Sequence, residues 1–516
     1  MEAVNRLEHL CSLSVYKPVA NVALTGIICT IGPSSRSVDV LEGMMEAGMT
    51  IARLNLASDS HAYHAETISN IRKAVEGYSK KIGSYYSLAI AVDIRGPEIR
   101  IGSVDRAGLG ETTLKRGEIL KLTIDQEYAE KGTNKIIYVD YENIIKFVSR
   151  GARIYLHDGN ISLICTGVAS DYLNCIIEVG GLLPRCADVK IPGANLDLPD
   201  VSEQDKKDIN FAVEQGVDII FASFVRSIYG PIEIRNVLGK RGEDVLIVSK
   251  IENHQGLRNI KEIISASDGV MIMRIILGLE VPPEKIFLAQ KSISANCTAI
   301  GKPVVCVTVV MESMVRRNKP SRPDIADVAN LIVDGMDCVV LTDETAKGPD
   351  PVSYVNQMVL ICKEAETVAY QKEISLIIRS KVKFPVDIPH SVALSAVEAV
   401  EKCQASALVV VDYNDISAKL ISKYRPGCPI IAVTRNKKLI PHWLLYRSIL
   451  PLYINEPEAE DWLEDIDMCI GFAVKYGLRK RFLKLGDMVV VVSGWKKRSS
   501  TASAVRYMPV GDIVEL

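Results

Sequence analysis

The chain has 516 residues, 48% of them hydrophobic and 24% charged, which is enough for roughly three domains of ordinary size. The formal net charge of −2 offers no basic surface for nucleic acid, and no apolar run reaches the roughly 18 residues that a membrane-spanning helix needs. The first eight residues lack the basic start and apolar core of a secretory signal. The 12 cysteines contain no Cys-x-x-Cys pair, and several lie in apolar runs. We therefore expect a cytoplasmic protein with neither a nucleic-acid nor a membrane partner.

Short apolar runs rich in β-branched residues recur along the chain and predict parallel strands. Most are separated by segments of helical periodicity, such as 202–214, which begins at a Ser and has Glu203 in its first turn. Apolar strands that alternate with helices predict a parallel sheet covered on both faces, and eight such strands match a (β/α)8 TIM barrel of the α/β class. The predicted strands are 27–30, 51–55, 88–93, 219–223, 245–250, 270–274, 304–308 and 338–342.

Two further regions interrupt or follow this pattern. Between the third and fourth predicted strands the helical period disappears and alternating strands with turn signals replace it, including Asp158-Gly159. This predicts an inserted all-β domain that acts as a lid on the barrel. After about residue 376, a helical run at 391–403 and strands at 408–411, 430–433 and 488–492 predict a C-terminal α/β domain. The predicted boundaries are an N-terminal segment 1–24, the barrel 25–96 and 199–370, the inserted domain 97–198 and the C-terminal domain 371–516.

Charged and polar residues stand at the carboxyl ends of the predicted barrel strands, where the loops of such a barrel converge. Lys250 and Glu252 are two residues apart, so on a strand they point the same way. A Lys beside a metal-binding Glu suits the handling of a phosphoryl group, whereas the alternative is an ordinary Lys–Glu pair at a strand end. The other strand ends supply Arg53, Asn55, Asp93, Arg95, Ser223, Arg274 and Thr308.

These strand-end sequences, in this order, resemble the pyruvate kinase family over nearly the whole chain, from about residue 7 to 510. The Lys-Ile-Glu-Asn string that begins at Lys250 is especially specific. The resemblance rests on the strings ICTIGP (28–33), ARLN (52–55), RGPEIR (95–100), SKIENH (249–254), ESM (312–314), DVAN (327–330), ETAKG (344–348) and IIAVTR (430–435).

The resemblance implies a glycolytic transfer of the phosphoryl group of phosphoenolpyruvate to ADP, giving pyruvate and ATP, with Mg²⁺ or Mn²⁺ and K⁺ as cofactors. It also implies a homotetramer or a mixed tetramer with other family subunits. Cations around the phosphate are what such a reaction needs. By resemblance Lys250 stabilises the moving phosphoryl group, Arg53 and Ser223 bind substrate, Thr308 lies where the enolate is protonated, Glu252 binds the divalent metal, Asn55 and Asp93 bind K⁺, and Arg100 with Asn55 contacts the nucleotide.

The chain departs from the family pattern where cations bind. The family's Arg-Gly-Asp-Leu-Gly reads Arg274-Ile-Ile-Leu-Gly278, so Ile276 replaces a metal-binding Asp and Ile275 replaces a Gly that approaches the substrate carboxylate. Ala57 replaces a Ser that supplies a K⁺ ligand, although Glu98 resembles the potassium-dependent members. The family's Lys-Lys-Gly reads Cys186-Ala187-Asp188, which deletes a cation on the nucleotide side.

The loop that cradles a sugar-bisphosphate phosphate in regulated relatives is also changed. Here it reads Asp412-Tyr-Asn-Asp-Ile-Ser417, and its two carboxylates predict that fructose-1,6-bisphosphate does not activate through this loop. Two hypotheses follow from the whole pattern. One is a working pyruvate kinase with reduced activity, and the other is a catalytically impaired paralogue that serves as a ligand-binding or regulatory subunit of pyruvate kinase oligomers. A different reaction on phosphoenolpyruvate, such as a lyase reaction, finds no new acid–base residue to support it.

Overall fold

The computed structural model describes residues 5–104, 111–194, 196–307, 319–411, 415–496 and 502–514. Within these residues no helix combines the length and the apolar character needed to cross a membrane. All 12 cysteines are free thiols, and among them Cys11 and Cys186 are exposed to solvent.

Eight parallel strands close into a barrel, in which the first strand pairs with both the second and the last. Their side chains alternate between the barrel interior and the surrounding helices, and almost all are buried. The structure thus confirms the predicted barrel. Its strands are Gly26–Thr30, Ile51–Asn55, Ala89–Asp93, Ile219–Ala222, Leu246–Ile251, Gly269–Met273, Val304–Val307 and Cys338–Leu341.

The helices between these strands cover the outside of the barrel with their apolar faces. The sixth predicted strand is displaced by one residue toward the C-terminus, because the described strand spans Gly269–Met273 and Arg274 begins a helix. The helices of this region are Arg6–Cys11, Val38–Ala47, His61–Ile82, Glu203–Glu214, Tyr229–Leu238, His254–Arg258, Ile260–Ala266, Arg274–Glu280, Ile286–Ile300, Arg322–Val333, Asp343–Ala346 and Pro351–Val368, with 3-10 turns Gly239–Gly242 and Pro283–Lys285.

An inserted module, defined as the strands between the third and fourth barrel strands, forms a seven-stranded sheet with its own apolar core. A two-stranded ribbon, Glu111–Leu114 with Gly181–Pro184, lies beside it. Short helical turns occur at Gln126–Tyr128 and Ile144–Phe147. In spatial order the seven strands are Ile99–Arg100, Asp188–Lys190, Arg153–Leu156, Ile161–Val168, Tyr172–Val179, Ile119–Thr123 and Ile136–Tyr138.

The C-terminal region is a five-stranded sheet with apolar clusters on both faces, as the alternation of strands and helices predicts. Its second helix begins at Ile388, three residues before the predicted start, because Pro389 is tolerated in a first helical turn. The strands in spatial order are Ile449–Tyr453, Ile430–Thr434, Ala407–Val411, Met488–Ser493 and Ala504–Pro509. The helices are Gln371–Ser380, Ile388–Cys403, Ile416–Lys423, Ile440–Trp443, Trp462–Arg479 and Val510–Val514, with a 3-10 turn at Lys437–Leu439.

A buried cluster of three charged side chains joins the C-terminal region to the end of the barrel at which its strands begin. The Asp337 carboxylate accepts a hydrogen bond from Arg425 Nη1 at 2.8 Å and from the backbone N–H of Arg447 at 3.2 Å. Its other oxygen accepts from the backbone N–H of Val304 at 2.9 Å. All three charged side chains are buried, so this joint is part of the interior of the protein.

Candidate active site

Four polar side chains from four barrel strands or the loops after them meet at the carboxyl end of the barrel. Asp93 is the centre of the group: its Oδ1 accepts from Lys250 Nζ and from Ser223 Oγ, each at 3.0 Å. Its Oδ2 accepts from Arg53 Nε at 3.0 Å. Lys250 Nζ also donates to Ser223 Oγ at 2.7 Å. The structure therefore brings together four of the residues that the sequence singled out, and each is at most 7% exposed.

The charges in this cluster hold one another in their ionised forms. Burial alone would raise the pKa of Asp93, but the adjacent Lys250 and Arg53 hold it below its ordinary value. Burial alone would likewise lower the pKa of Lys250, but Asp93 and Glu252 raise it above its ordinary value. A permanently positive ammonium and guanidinium, fixed by one carboxylate, are suited to bind a dianionic phosphoryl group.

Glu252 lies on the other side of Lys250, with its Oε1 at 3.2 Å from Lys250 Nζ. Its Oε2 accepts a hydrogen bond from the backbone N–H of Phe224 at 2.6 Å, which fixes the carboxylate against the loop after the fourth barrel strand. Phe224 has a positive φ of 59°, an uncommon backbone conformation for a bulky residue. This conformation directs the backbone N–H of Phe224 at Glu252. The hydrogen bond holds the buried Glu252 carboxylate at the barrel mouth.

The next strand end contributes no second carboxylate at the predicted position. Ile276 lies in the helix Arg274–Glu280, and Ile275 beside it is 42% exposed. Arg274 points away to an ion pair with Asp327, to which its Nη1 donates at 2.7 Å. The first turn of this helix therefore offers apolar side chains at two adjacent positions and an arginine that is already paired.

Asn55 and Asp93 occupy neighbouring positions in the sheet, since they are paired in the register of the second and third strands. The Asn55 side-chain oxygen accepts from the backbone N–H of Ala57 at 3.2 Å. Asn55 is only partly buried, and it therefore lies at the edge of the central cluster.

The inserted module brings a second group of charges to the barrel mouth. Arg100 Nη2 donates to Glu98 Oε2 at 2.9 Å, and Arg100 Nη1 donates to the carbonyl of Cys186 at 3.1 Å. Lys190 Nζ donates to the other oxygen of Glu98 at 3.1 Å. Burial alone would lower the pKa of Lys190, but the charges of Glu98 and Asp188 raise it above its ordinary value. Glu98 thus joins two cations from different strands.

Sequence reasoning did not single out Lys190. A signal was present, because Lys190 stands between Val189 and Ile191 in a short apolar stretch where a charged residue is uncommon. Its partner Glu98 is 92 residues away along the chain, so the pairing becomes visible only in three dimensions.

Several predicted features lie wholly or partly outside the described residues. Thr308 follows the end of the seventh barrel strand at Val307, and its structure is not described. The same holds for residues 412–414 of the loop predicted to have lost phosphate binding. In the described part of that loop, the Asp415 carboxylate accepts a hydrogen bond from Lys419 Nζ and lies 3.4 Å from His442 Nδ1.

Comparison with known proteins assigns the barrel and the C-terminal sheet to domains of one family. The pyruvate kinase barrel domain matches residues 22–355, and the pyruvate kinase alpha/beta domain matches residues 390–506. The chain is 42% identical to human pyruvate kinase PKLR over 504 residues, which cover 98% of this chain and 88% of the relative. It is 40% identical to pyruvate kinase 2 of Trypanosoma brucei brucei over 95% of this chain and 96% of the relative.

A third relative, the pyruvate kinase of Leishmania mexicana, is 38% identical over 509 residues, which cover 98% of this chain and the whole of the relative. Both domain matches and all three relatives agree on one family. The geometry of the cluster around Asp93 is consistent with it, because two fixed cations and a carboxylate lie together at the open end of the barrel. This chain belongs to the pyruvate kinase family.

Proposed function

We propose that this chain transfers the phosphoryl group of phosphoenolpyruvate to ADP, giving pyruvate and ATP, and that it does so at a reduced rate. The observation that carries the proposal is the buried cluster in which Asp93 holds Arg53, Ser223 and Lys250 beside Glu252. Phosphoryl transfer depends on positioning and on cancelling negative charge, and this cluster supplies both without reorganisation.

The proposed roles follow from the charge and position of each side chain. Lys250 cancels charge on the phosphoryl group as it moves, and Arg53 binds the same group from the neighbouring strand. Ser223 contributes a hydroxyl to substrate binding, and Asp93 keeps both cations oriented while they are free of substrate. Delivery of a proton to the enolate is proposed for Thr308, which lies outside the described residues.

The family generally uses Mg²⁺ and K⁺. Glu252 is proposed to hold the divalent ion, Mg²⁺ or Mn²⁺, which when bound polarises and neutralises substrate oxygens. The donor set fits this ion, since magnesium is usually held by only one or two carboxylates together with substrate phosphates and water. With Ile276 in place of a second carboxylate, the substrates must supply the remaining ligands. Asn55 and Asp93 are proposed for K⁺, with weaker binding because Ala57 has no hydroxyl.

The nucleotide is proposed to bind between the barrel mouth and the inserted module, in contact with Arg100 and Asn55. This assigns residues 97–198 as a lid over the barrel of residues 25–96 and 199–370, with the C-terminal domain at 371–516. We also propose a cytoplasmic homotetramer or mixed tetramer, by analogy with the family. The altered loop at Asp415 supports a lack of activation by fructose-1,6-bisphosphate.

A second candidate function is supported by a different observation. Ile275 and Ile276 together remove a metal ligand and a close backbone approach from one spot of the site. Losing a first-sphere carboxylate costs more than losing an outer-sphere partner, for which about 10–100-fold is typical. The chain would then be a catalytically impaired paralogue that binds ligands or regulates pyruvate kinase oligomers.

Steady-state ATP formation by the purified protein, with Mg²⁺ or Mn²⁺ and K⁺ varied, separates the two functions. We expect slow, metal-dependent turnover that disappears in Lys250→Met and persists in Lys81→Met, an exposed lysine paired with Glu46. Circular dichroism establishes that each variant is folded. Turnover by the wild type that does not exceed the Lys250→Met background would reject the catalytic proposal and favour the regulatory subunit.

A further inference from the structure

His442 lies where two segments of the C-terminal region meet the barrel. It belongs to the short helix Ile440–Trp443, and its side chain is 15% exposed. Its Nε2 is 2.8 Å from the backbone carbonyl oxygen of Asp244, which precedes the fifth barrel strand. Its Nδ1 is 3.4 Å from a carboxylate oxygen of Asp415, at the start of the helix Ile416–Lys423. One imidazole ring therefore bridges the barrel and the C-terminal region.

Both ring nitrogens of His442 face oxygen atoms that can only accept a hydrogen bond. The Asp244 carbonyl carries no proton. The Asp415 carboxylate stays ionised, because the hydrogen bond from His442 and the charge of Lys419 hold its pKa well below its ordinary value, although burial opposes them. A neutral imidazole has one N–H and one bare nitrogen, so it can donate to only one of these oxygens. Only the imidazolium, with two N–H groups, satisfies both.

Charged groups on both sides of this boundary surround the ring and its two partners. Lys419 donates a hydrogen bond to the Asp415 carboxylate. Lys438 Nζ forms an ion pair with the Asp244 side chain at 2.8 Å, and both of these side chains are largely exposed. Among the described residues, the charged groups that these elements direct toward the ring or its partners are Asp415, Lys419, Asp218, Asp244, Glu243 and Lys438.

Asp218 is another group near this contact whose charge changes close to neutral pH. Its Oδ2 accepts a hydrogen bond from the backbone N–H of Ile90 at 2.8 Å. Burial raises the pKa of Asp218 to about 6, and the charge of His442 opposes the rise. Its carboxyl group therefore titrates in the same range as an ordinary histidine, and an experiment on His442 must separate the two.

The contact with Asp244 lies at the start of an element that the candidate active site uses. The fifth barrel strand, Leu246–Ile251, begins two residues after Asp244. Lys250 and Glu252 lie at the other end of that strand. A hydrogen bond from His442 to the Asp244 carbonyl therefore attaches the C-terminal region to the strand that carries Lys250.

We propose that His442 is a proton-dependent latch between the C-terminal region and the barrel: the imidazolium binds Asp244 and Asp415 together, and loss of a proton releases one of them. A free histidine titrates at about pH 6.5, so the latch is closed in mildly acidic solution and opens as the pH rises. Because the native contacts favour the protonated ring, the stability that they contribute is present at acidic pH and is lost as the pH rises. The inference goes beyond the proposed reaction, and its test needs no turnover.

Thermal unfolding of the full chain at about pH 5.5 and at about pH 8.5 tests the latch, because these values lie on either side of the ordinary histidine titration. We expect His442→Gln to have a lower Tm than the wild type at the acidic pH and nearly the same Tm at the alkaline pH. His442→Arg keeps a positive charge at both pH values, so its Tm difference from His442→Gln should not depend on pH. The same comparison in an Asp218→Asn background removes the titration of Asp218, and the result should be unchanged.

Hydrogen exchange shows whether the effect is at the boundary itself. At about pH 5.5, the backbone amides of residues 243–246 and 440–446 should exchange about fivefold faster in His442→Gln than in the wild type, the scale of one net hydrogen bond. At about pH 8.5 the two proteins should exchange equally. His390→Gln is the matched control, because the His390 ring pairs with Asp387 only three residues away and joins no two parts of the fold. It should leave exchange at the boundary unchanged at both pH values.

Asp415→Asn keeps the test usable if His442→Gln does not fold. It removes the carboxylate that requires the second proton, so its Tm deficit relative to the wild type should be larger at the acidic pH. The part of the deficit that comes from the lost Lys419 pair is the same at both pH values. A Tm deficit that does not change with pH in either variant, or one that grows as the pH rises, would overturn the proposal.

Discussion

Asp93 accepts hydrogen bonds from three side chains that come from three different parts of the barrel. Arg53 and Lys250 would repel each other without this carboxylate, and burial would strengthen the repulsion because little water screens it. The anion therefore makes it possible for two cations to lie side by side before substrate arrives. When a phosphoryl group binds, it can take over part of the role that Asp93 plays in the free protein.

At the scale of single residues, we expect the apolar pair Ile275 and Ile276 to limit the rate of ATP formation. Changing Ile276→Asp together with Ile275→Gly should raise kcat for ATP formation at least about tenfold, because the first-sphere carboxylate returns and the backbone can approach the substrate. The measurement is steady-state turnover at saturating Mn²⁺, with Mn²⁺ affinity determined in parallel by electron paramagnetic resonance.

The matched control for this prediction is Ile276→Asn with Ile275→Gly, which has nearly the same shape without the negative charge. It should bind Mn²⁺ more weakly than the Asp variant. Equal turnover in the wild type and in both double variants would show that the missing carboxylate does not limit the reaction.

At the scale of elements, the strands were predictable because fully buried parallel strands are continuous apolar runs bounded by polar residues. The end of the sixth strand was not, because Arg274 lies at a junction where the chain turns into a helix and pairs with the distant Asp327. Lys190 was also missed, since a three-residue strand has little periodicity and its charge is buried by a partner far along the chain. The central cluster was predictable because strand ends of a barrel converge.

Gly96 connects the third barrel strand to the inserted module and approaches Ser223 closely. Its φ is +78°, and a Cβ at this position would lie 2.8 Å from the Cβ of Ser223. The Gly96 N–H also donates to the buried Asp205 carboxylate at 2.7 Å, which ties the connection to the helix Glu203–Glu214. An added methyl group must therefore move either the loop that carries Ser223 or the start of the inserted module.

We expect Gly96→Ala to lower kcat/KM for phosphoenolpyruvate by about tenfold or more, because the added methyl group would lie 2.8 Å from the Cβ of Ser223 and must displace its hydroxyl. A tenfold loss corresponds to roughly 1.4 kcal/mol of transition-state stabilisation. Competition by a phosphoenolpyruvate analogue measures binding, and stopped-flow turnover measures the rate. Gly193→Ala provides the control, because Gly193 also has a positive φ but has open space around it. The same loss in both variants would assign the effect to backbone strain and not to Ser223.

At the scale of the whole molecule, one carboxylate holds three segments together. Asp337 directly precedes the last barrel strand, Cys338–Leu341. Its carboxylate accepts from the backbone N–H of Val304 in the preceding strand, and from Arg425 and Arg447 of the C-terminal region. Arg447 additionally donates to the carbonyl of Met336 at 3.1 Å. A buried charge cluster of this kind is costly to disrupt, because removing one member leaves the others unpaired away from water.

Asp337→Asn should therefore destabilise the protein by about 3–5 kcal/mol, since it leaves Arg425 with an uncompensated buried charge. Differential scanning calorimetry is the suitable measurement, and we expect the transition to broaden or split as the C-terminal region unfolds apart from the barrel. Asp244→Asn is the matched control, because Asp244 forms an exposed pair with Lys438 across the same boundary. Equal losses of Tm in the two variants would contradict the role of Asp337.

The 12 thiols differ widely in their exposure to solvent. Burial raises the pKa of Cys175 to about 12, and nine of the cysteines are buried, so in the folded protein a maleimide dye reaches chiefly the exposed Cys11 and Cys186. A Cys11→Ser variant would direct the label to Cys186. Because the Cys186 carbonyl accepts from Arg100, a fluorophore there would stand at the seam between the inserted module and the barrel. The chain thus carries its own attachment point for testing, in real time, whether that seam moves when substrates are added.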